Sequence, residues 1–361
     1  MELENLRDQL DEIDNRILLL LHNRAEIVRS VGQLKSANGG ENVYVPHRET
    51  KILARLREKN RNFFPADALD TIFAEIISAC RSLEQRLEVA FLGPEGSFGH
   101  AAALRHFGSS VNFNPIADQT DVFSEVESGR ADYGVVAIEN SSRGTVRDVL
   151  EMFAGTTLQI CAEVILPIDQ NLLSKSPKER ITKVYSHPQP FAQCREWLRQ
   201  NLKGIRQIEV ASTSEAAQLA AAEEDAAAIA SKLAAEIYGL QIVGESIMDS
   251  SCNITRFLVI GPHTAMRSGQ DRTSIFIAIQ DRVGALYQVL TVLQKHQINM
   301  SKIESMPAQT KPWEYVFFVD LDGHVDDSNV QAALPELEKL CLHVKLLGSY
   351  ARSASPQDSS I

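Results

Sequence analysis

Apolar residues recur every three or four positions in the first part of the chain. This spacing predicts one long amphipathic helix. Its apolar stripe consists of Leu6, Leu10, Ile13, Ile17, Leu20, Ile27, Val31 and Leu34. The helix is expected to end at residues 38–40, Asn-Gly-Gly, and two further helices are predicted after Pro46 and Pro65. Residues 1–87 are therefore predicted to form an all-helical domain.

The pattern then changes to short apolar runs that alternate with loops and helices. A buried-strand pattern at residues 88–92 is followed by a glycine-containing loop at 93–98 and by a helix from about His100. Similar strand patterns recur at residues 133–138, 183–186 and 227–230. This alternation predicts an α/β domain over residues 88–266. The alanine-rich stretch 216–235 fits either a buried strand between helices or one continuous helix, and the pattern does not choose between them.

A third pattern follows the polar stretch 264–272. Strands and helices are predicted in the order βαββαβ, which is the ferredoxin-like arrangement. The predicted elements are strand 273–280, helix 283–296, strand 300–306, strand 315–321, helix 329–340 and strand 344–347. Residues 273–351 are therefore predicted to form an α+β domain, and the serine-rich tail 352–361 is predicted to be disordered.

Composition fits three globular domains in a chain of 361 residues, with 44% apolar and 23% charged residues. The net charge of −11 disfavours a nucleic-acid partner. Five scattered cysteines without a C-x-x-C pair indicate neither a disulfide framework nor a zinc site. Neither a targeting segment nor a membrane span is predicted, so we expect a cytoplasmic protein. Nothing in the sequence suggests a metal, a nucleotide or a redox cofactor.

Two cations of the first helix are predicted to share one face. Arg24 and Lys35 are eleven positions apart, which places them within about 20° of each other on a helix. Val28 and Val31 lie on nearly the same stripe, so both cations project from an apolar face where an unpaired charge is costly. A bound anion would offset that cost, whereas solvated cations are the alternative. Arg7 lies roughly 100° away from this face and would have to come from a partner chain.

The same residues, together with His47-Arg48-Glu49, resemble the all-helical class of chorismate mutase along the whole segment. The resemblance implies that Arg7, Arg24, Lys35, Arg48 and Glu49 surround the substrate. Arg7 and Arg24 would bind its two carboxylates, Lys35 would donate to the breaking ether bond, and Glu49 would accept from the ring hydroxyl. The reaction is a pericyclic rearrangement of chorismate to prephenate, which needs orientation and electrostatic stabilisation but no nucleophile.

One position departs from this family. Cys80 and Glu84 stand where the family often has Ser and Gln, one helical turn apart on the third helix. An ionised Glu cannot donate a hydrogen bond as Gln does. We therefore expect Glu84 to act in its protonated form against the ether oxygen, since burial disfavours the charged carboxylate, which predicts mutase activity favoured at lower pH.

Four polar motifs follow one another in the middle segment: Glu139-Asn140-Ser141-Ser142-Arg143-Gly144-Thr145, Ser186-His187-Pro188-Gln189, Ser212-Thr213-Ser214 and Asn253-Ile254-Thr255-Arg256-Phe257. Together, in this order, they resemble prephenate dehydratase across about 180 residues. The resemblance implies a two-lobed, periplasmic-binding-type α/β fold with the ligand between the lobes, and it nominates Thr255 of a Thr-Arg-Phe motif beside the departing hydroxyl. A hydroxyl leaves as water only with a proton donor. Orienting groups implied by the family are Glu139, Asn140, Ser141, Thr145, Ser186, Gln193 and Ser212. Arg256 is interpreted as a structural ion-pair partner, and the loop at 93–98 either contacts an anion or is only a turn.

In the last segment, Gly284-Ala285-Leu286 stands where the first strand passes into a helix, and Glu304-Ser305 lies near the end of the next strand. These resemble the two signatures of an ACT domain, a module that binds amino acids, with Met306 where that family usually has Arg. In related dehydratases these signatures meet across a dimer interface and bind phenylalanine, which inhibits the enzyme. The resemblance therefore implies L-phenylalanine as effector, chorismate and prephenate as substrates, and a homodimer or higher homo-oligomer.

Two alternatives remain at this point. One is a dehydratase whose helical segment only dimerises the chain, which the set of cations on the first helix argues against. The other is a non-catalytic amino-acid sensor, against which Thr255 and the residues around Asn140 argue. Supplying chorismate and following phenylpyruvate distinguishes all three.

Overall fold

A computed structural model describes residues 2–37, 44–61, 63–250, 253–307 and 315–353. The predicted helix end at 38–40, Cys252 and the predicted tail beyond Ser353 lie outside these ranges. The chain divides into two compact units. The first combines Met1–Leu87 with His106–Asn112, and the second combines Glu88–Arg105 with Phe113–Ile361.

The helical unit contains the three helices that the apolar periodicity predicts. They are α1 (Glu2–Ala37), α2 (Pro46–Asn60) and α3 (Ala66–Ser82). Proline stands at the start of α2 and immediately before α3, where its fixed φ favours helix initiation and its missing N–H costs nothing. Both α1 and α2 pack against α3, and Ile77 and Cys80 of α3 are buried. The unit is larger than the predicted residues 1–87, since it also includes 106–112.

The first half of α1 keeps its apolar stripe uncovered in the single chain. Leu6 is 56% exposed and Leu10 is 60% exposed, and Ile13 and Ile17 are exposed as well. Farther along α1, Ile27 and Leu34 of the stripe are exposed as well. The face that becomes half-buried includes Arg24, Val28, Val31 and Lys35, where α1 lies against α3. The long helix is therefore confirmed, but its first five turns bury no apolar face within one chain.

The second unit begins with a mixed sheet. Its elements are β1 (Glu88–Leu92), α4 (Phe98–Phe107), β2 (Asn112–Ile116), α5 (Asp121–Glu127), β3 (Tyr133–Asn140), β4 (Gly144–Thr145), α6 (Arg147–Gly155), β5 (Gln159–Pro167) and β11 (Ile254–Gly261). The strand order is β2-β1-β3-β11-β5, with β4 paired to β3. β11 runs antiparallel between β3 and β5. Although β11 is distant from β3 in the sequence, its pairing with β3 places Thr255 beside Asn140.

A second sheet has the order β10-β6-β9-β7-β8. Its elements are β6 (Asn171–Ser174), a 3₁₀ turn (Lys178–Arg180), β7 (Lys183–Ser186), α7 (Pro188–Gln193), α8 (Arg195–Asn201), β8 (Arg206–Glu209), α9 (Thr213–Ala221), β9 (Ala226–Ala230), α10 (Lys232–Tyr238) and β10 (Gln241–Gly244). The single-helix alternative for residues 216–235 is wrong, because β9 forms the fully buried central strand. Burial between neighbouring elements overrides the helix preference of alanine there.

The last sheet is four-stranded with the order β13-β14-β12-β15. Its elements are β12 (Asp271–Ile279), α11 (Ala285–Lys295), β13 (Met300–Pro307), β14 (Tyr315–Asp322), α12 (Ser328–Leu340) and β15 (His343–Ala351), and the predicted βαββαβ order is confirmed. One face packs against α11 and α12. The other face, through Phe276, Met306 and Phe318, joins the core of the first sheet with Ile138 and Ile160. This shared core ties the last segment to the strands that carry Asn140 and Thr255.

Candidate active sites

The predicted cations of α1 face α3. Arg24 donates from Nη1 to the carbonyl of Ile76 at 3.3 Å. Lys35 Nζ lies 3.4 Å from Oε2 of Glu84, and these side chains are only 16% and 11% exposed. The shared face inferred from the eleven-residue spacing is therefore confirmed. Both positively charged groups lie in the interface of two helices and not in bulk solvent.

Glu84 is packed closely against the first helix. Glu84 lies in the turn that follows α3 and not on the helix as predicted, since α3 ends at Ser82. A Cβ added at Gly32 would lie 3.0 Å from Glu84 Cγ, so the glycine lets α1 approach this turn. The contact with Lys35 places the Glu84 carboxyl group beside the predicted donor to the ether oxygen.

Glu49 has a partner that the sequence analysis missed. Its Oε1 accepts a hydrogen bond from Nη1 of Arg81 at 2.6 Å, in a part-buried ion pair that joins α2 to α3. Burial raises the pKa of Glu49, and the Arg81 and Arg24 cations oppose this shift. Arg7 and Arg48 are exposed. Of the predicted set, one chain therefore brings together Arg24, Lys35, Glu49 and Glu84.

Thr255 lies in a compact polar cluster at the start of β11. It is 7% exposed, and its Oγ1 accepts from Nδ2 of Asn140 at 2.7 Å. The same amide donates to Oδ1 of Asn253 at 2.9 Å. Ser141 Oγ accepts from the backbone N–H of Ile254 at 3.0 Å. Because Asn140 donates to Thr255 Oγ1, this bond does not use the proton of the threonine hydroxyl.

Glu139 and Thr145 do not join that cluster. They pair with each other across β3 and β4, and successive side chains of a strand point to opposite faces, so Glu139 points away from the side of Asn140. Lys302 Nζ of β13 lies 2.8 Å from Glu139 Oε2 and 3.1 Å from Thr145 Oγ1. Thr145 in turn donates to Oε2 of Glu304 at 2.9 Å. Two of the predicted orienting groups therefore contact the last domain.

Residues predicted on the second sheet are placed differently from one another. Ser186 is fully buried and donates to the carbonyl of Ile229 at 3.0 Å, which is a contact within the sheet. Ser212 caps α9 by accepting from the N–H of Glu215 at 3.0 Å. Gln193 Nε2 lies 3.4 Å from Ser142 Oγ, in the turn after Asn140. Gln193 is thus the predicted residue that reaches the β3–β4 turn from this sheet.

The loop at 93–98 is held by the second sheet's helix α10. Gly96 has a φ of 78° and lies so close to Ala234 that an added Cβ would be 3.1 Å from its Cα. Ser231, the N-cap of α10, donates to the carbonyl of Gly96 at 2.7 Å, and Tyr238 donates to that of Glu95 at 3.1 Å. These contacts account for the glycine by packing, which favours the turn over the anion site.

The ACT-like signatures lie on two elements. Gly284, with a φ of 82°, is the N-cap of α11, and with Ala285 and Leu286 it lines a cavity of about 240 Å³. Ser305 is exposed and pairs with Phe317, another lining residue. Glu304 points to the opposite face of β13, toward Thr145. The structure therefore brings Ser305, but not Glu304, to the cavity side.

Met306 and Arg256 connect the last domain to the first sheet. Met306 is buried in the shared core. Arg256 pairs with Glu163 at 2.8 Å and with Asp320 at 2.6 Å, which confirms its interpretation as an ion-pair partner. Lys302, Glu304 and Met306 are two positions apart on β13, so their side chains lie on the same face of the strand. This spacing is the sequence pattern that could have placed Lys302 beside Glu304.

The sequence matches three protein families in succession. They are chorismate mutase type II over residues 6–85, prephenate dehydratase over residues 89–265 and the ACT domain over residues 273–341. The chain is 45% identical to the bifunctional chorismate mutase/prephenate dehydratase of Aquifex aeolicus over 98% of both chains. It is 42% identical to the protein of that name from Neisseria gonorrhoeae, over 95% of both.

The chain belongs to the bifunctional chorismate mutase/prephenate dehydratase family. It is an enzyme of phenylalanine biosynthesis with a mutase and a dehydratase domain, and the sensor and dehydratase-only alternatives are not supported. A solved structure, a prephenate dehydratase from Arthrobacter aurescens in complex with L-Phe, is 31% identical with a TM-score of 0.67, covering 76% of this chain and 95% of that chain.

The described residues contain no group of His, Cys, Asp and Glu side chains arranged to hold a metal ion. Within the same ranges, no helix is both long and apolar enough to cross a membrane.

Proposed function

We propose that Arg24, Lys35, Glu49 and Glu84 form the chorismate site of this enzyme, completed by Arg48 and by Arg7 of a second copy. The observation that carries the proposal is the convergence of two α1 cations on α3 beside two carboxyl groups. Arg24 binds a substrate carboxylate, Lys35 donates to the ether oxygen as negative charge develops there, and Glu49 accepts from the ring hydroxyl. Supplying chorismate to the full chain and following prephenate and phenylpyruvate separately tests both reactions.

Glu84 gives the mutase a dependence on pH. A carboxyl group donates to the ether oxygen only when protonated, so we expect mutase kcat/KM to be favoured at lower pH. Glu84→Gln supplies a donor at every pH and is expected to flatten this dependence. The measurement is the pH profile of chorismate consumption for both proteins. An unchanged profile in Glu84→Gln contradicts this role.

A second copy of the chain is proposed to cover the first half of α1. The uncovered stripe of Leu6, Leu10, Ile13 and Ile17 supports this, because burying it against an equivalent helix removes apolar area from water. The same pairing would bring Arg7 to the partner's site. Sedimentation velocity of the purified protein measures the assembly, and a monomer that turns over chorismate contradicts it.

The dehydratase site is proposed at Thr255, Asn140 and Ser141, facing Gln193 and Ser212 of the second sheet. We infer a two-lobed, periplasmic-binding-type arrangement in which each sheet forms one lobe, with Ser186 supporting the second lobe from within. Thr255 donates to the 4-hydroxyl of prephenate as it departs with the loss of carbon dioxide. Its orientation by Asn140 supports this role, because the bond to Asn140 leaves the threonine proton for the substrate.

Feedback inhibition by L-phenylalanine is proposed at the cavity beside Gly284, Ala285 and Leu286, with Ser305 at its rim. The L-Phe complex of the Arthrobacter aurescens protein supports the effector. We infer a ferredoxin-like ACT domain from the strand order β13-β14-β12-β15. Glu304 and Lys302 would couple the cavity to the dehydratase site, because they hold Thr145 and Glu139 directly behind Asn140. The boundaries at 87, 266, 273 and 351 and a cytoplasmic location stay predictions.

Lys302→Met tests that coupling. Removing the ammonium breaks the contact of Glu139 with Lys302 and one of two contacts of Thr145 with β13, since Thr145 still donates to Glu304. We therefore expect inhibition by L-phenylalanine to weaken by about tenfold, the scale of a typical coupling free energy. Lys295→Met on α11, whose partner Glu336 is also in the ACT domain, is the matched control. Dehydratase assays across a series of phenylalanine concentrations give the result. Equal inhibition of all three proteins contradicts the route through Lys302.

A further inference from the structure

The helical unit contains a peptide from inside the dehydratase-matching range. Residues 106–112 belong to this unit, although the dehydratase family matches residues 89–265. Ser109 donates from its backbone N–H to Glu75 at 3.1 Å, and the N–H of Ser110 donates to Ser78 Oγ at 3.2 Å. A Cβ added at Gly108 would lie 2.5 Å from that of Ser78. The peptide is thus packed tightly along α3.

Arg81 of α3 is surrounded by this peptide. Its side chain is 5% exposed, and Nη2 donates to the carbonyl of Phe107 at 2.6 Å. The guanidinium lies 5.3 Å from the ring centre of Tyr44 and 5.8 Å from that of Phe107. Tyr44 in turn hydrogen-bonds His106. A buried guanidinium with a carbonyl acceptor and two aromatic faces is fixed in one orientation.

The other terminal nitrogen of Arg81, Nη1, contacts Glu49. Nη1 donates to Oε1 at 2.6 Å, which is the length of a charge-assisted hydrogen bond. The bond from Arg81 reaches Oε1, and in the proposed chorismate site Oε2 is the oxygen assigned to the ring hydroxyl. A carboxylate with one oxygen fixed and the other open accepts from a neutral hydroxyl in a defined direction.

We propose that Arg81 is a positioning residue of the chorismate mutase, which keeps Glu49 ionised and oriented toward the ring hydroxyl, and that the peptide at 106–107 holds Arg81 in place. The inference rests on the proposed role of Glu49. It also means that the mutase site is built with a segment of the dehydratase-matching range. Arg81 itself touches no substrate.

The electrostatics agree with this role. Burial raises the pKa of Glu49, while the cations that face it, Arg81 of α3 and Arg24 of α1, lower it. Burial and Arg81 lower the pKa of His106 to about 3, so its imidazole stays neutral and adds no charge beside the guanidinium. Removing Arg81 therefore leaves a carboxyl group that takes up a proton at higher pH than before, and a protonated Glu49 is a poorer acceptor.

The test uses the full chain with chorismate and with prephenate supplied separately. In Arg81→Met we expect mutase kcat/KM at neutral pH to fall by about ten- to a hundredfold, the effect of deleting one hydrogen bond to a charged group. The acid limb of its pH profile moves to higher pH. Arg81→Lys keeps a cation and restores most of the activity and the limb. Turnover of supplied prephenate stays within about twofold and reports that the chain is folded.

A matched control and a double variant separate positioning from general destabilisation. Arg57 also joins α2 to α3, through two bonds of 2.9 Å from its Nε to Asp70, but it is half-exposed, and Arg57→Met is expected to leave the mutase unchanged. In a Glu49→Gln background, Arg81→Met is expected to add no further loss. A full additional loss there, or an unmoved acid limb in Arg81→Met, overturns the inference. A wild-type chain that fails to consume chorismate overturns instead the proposed site.

Discussion

Thr255→Val is expected to abolish turnover of prephenate while chorismate is still consumed. Valine keeps the shape of threonine and removes the only group that can donate a proton from this position. The loss is expected to be about a hundred- to ten-thousandfold, the contribution of a positioned proton donor. Prephenate should therefore accumulate when chorismate is supplied, and its appearance with no phenylpyruvate is the measurement.

Thr255→Ser is the control for this experiment. Serine keeps the hydroxyl that accepts from Asn140 at 2.7 Å in the wild type, so most of the dehydratase activity should return. The Asn140 amide retains its bond to Asn253 in both variants, which limits structural change. Substantial phenylpyruvate formation by Thr255→Val would show that another group protonates the departing hydroxyl.

Periodicity alone predicted the elements that carry these residues. The stripe from Leu6 to Leu34 gave α1, and the shared face of Arg24 and Lys35 followed from 3.6 residues per turn. These properties are local, since they depend only on neighbours along one helix. The βαββαβ order at the end of the chain followed in the same way from short alternating segments.

Local sequence patterns could not predict contacts between residues that are distant in the sequence. Arg81 meets Phe107, and Lys302 meets Glu139, because of tertiary packing that no local pattern encodes. Grouping Glu139 with Asn140 treated sequence neighbours as partners, although a strand turns them to opposite faces. The candidate sites were therefore predicted as sets of residue types. Only the fold shows that Glu139, Thr145 and Glu304 lie together on the side of the strand opposite Asn140.

The two carboxyl groups of the proposed mutase site need opposite charge states. Glu84 donates only when protonated, whereas Glu49 accepts best when ionised. Arg81 opposes the protonation of Glu49, and Lys35 faces Glu84 until substrate takes its place. The two proposed roles therefore place opposite demands on two neighbouring carboxyl groups, and Glu84→Gln relieves this conflict because an amide donates without taking up a proton.

Lys35→Met is expected to lower mutase kcat/KM by about a hundred- to a thousandfold, the effect of removing one donor to a developing negative charge. Lys35 sits in the interface of α1 and α3 at 3.4 Å from Glu84, so no solvent-exposed cation can replace it. Lys59→Met, at an exposed position near the end of α2, is the control and should retain full activity. Dehydratase turnover of supplied prephenate, unaffected in both, reports that the chain is folded. A Lys35→Met enzyme within tenfold of the wild type would mean that the ether oxygen receives its hydrogen bond from another residue, with Glu84 the first to examine in the double variant.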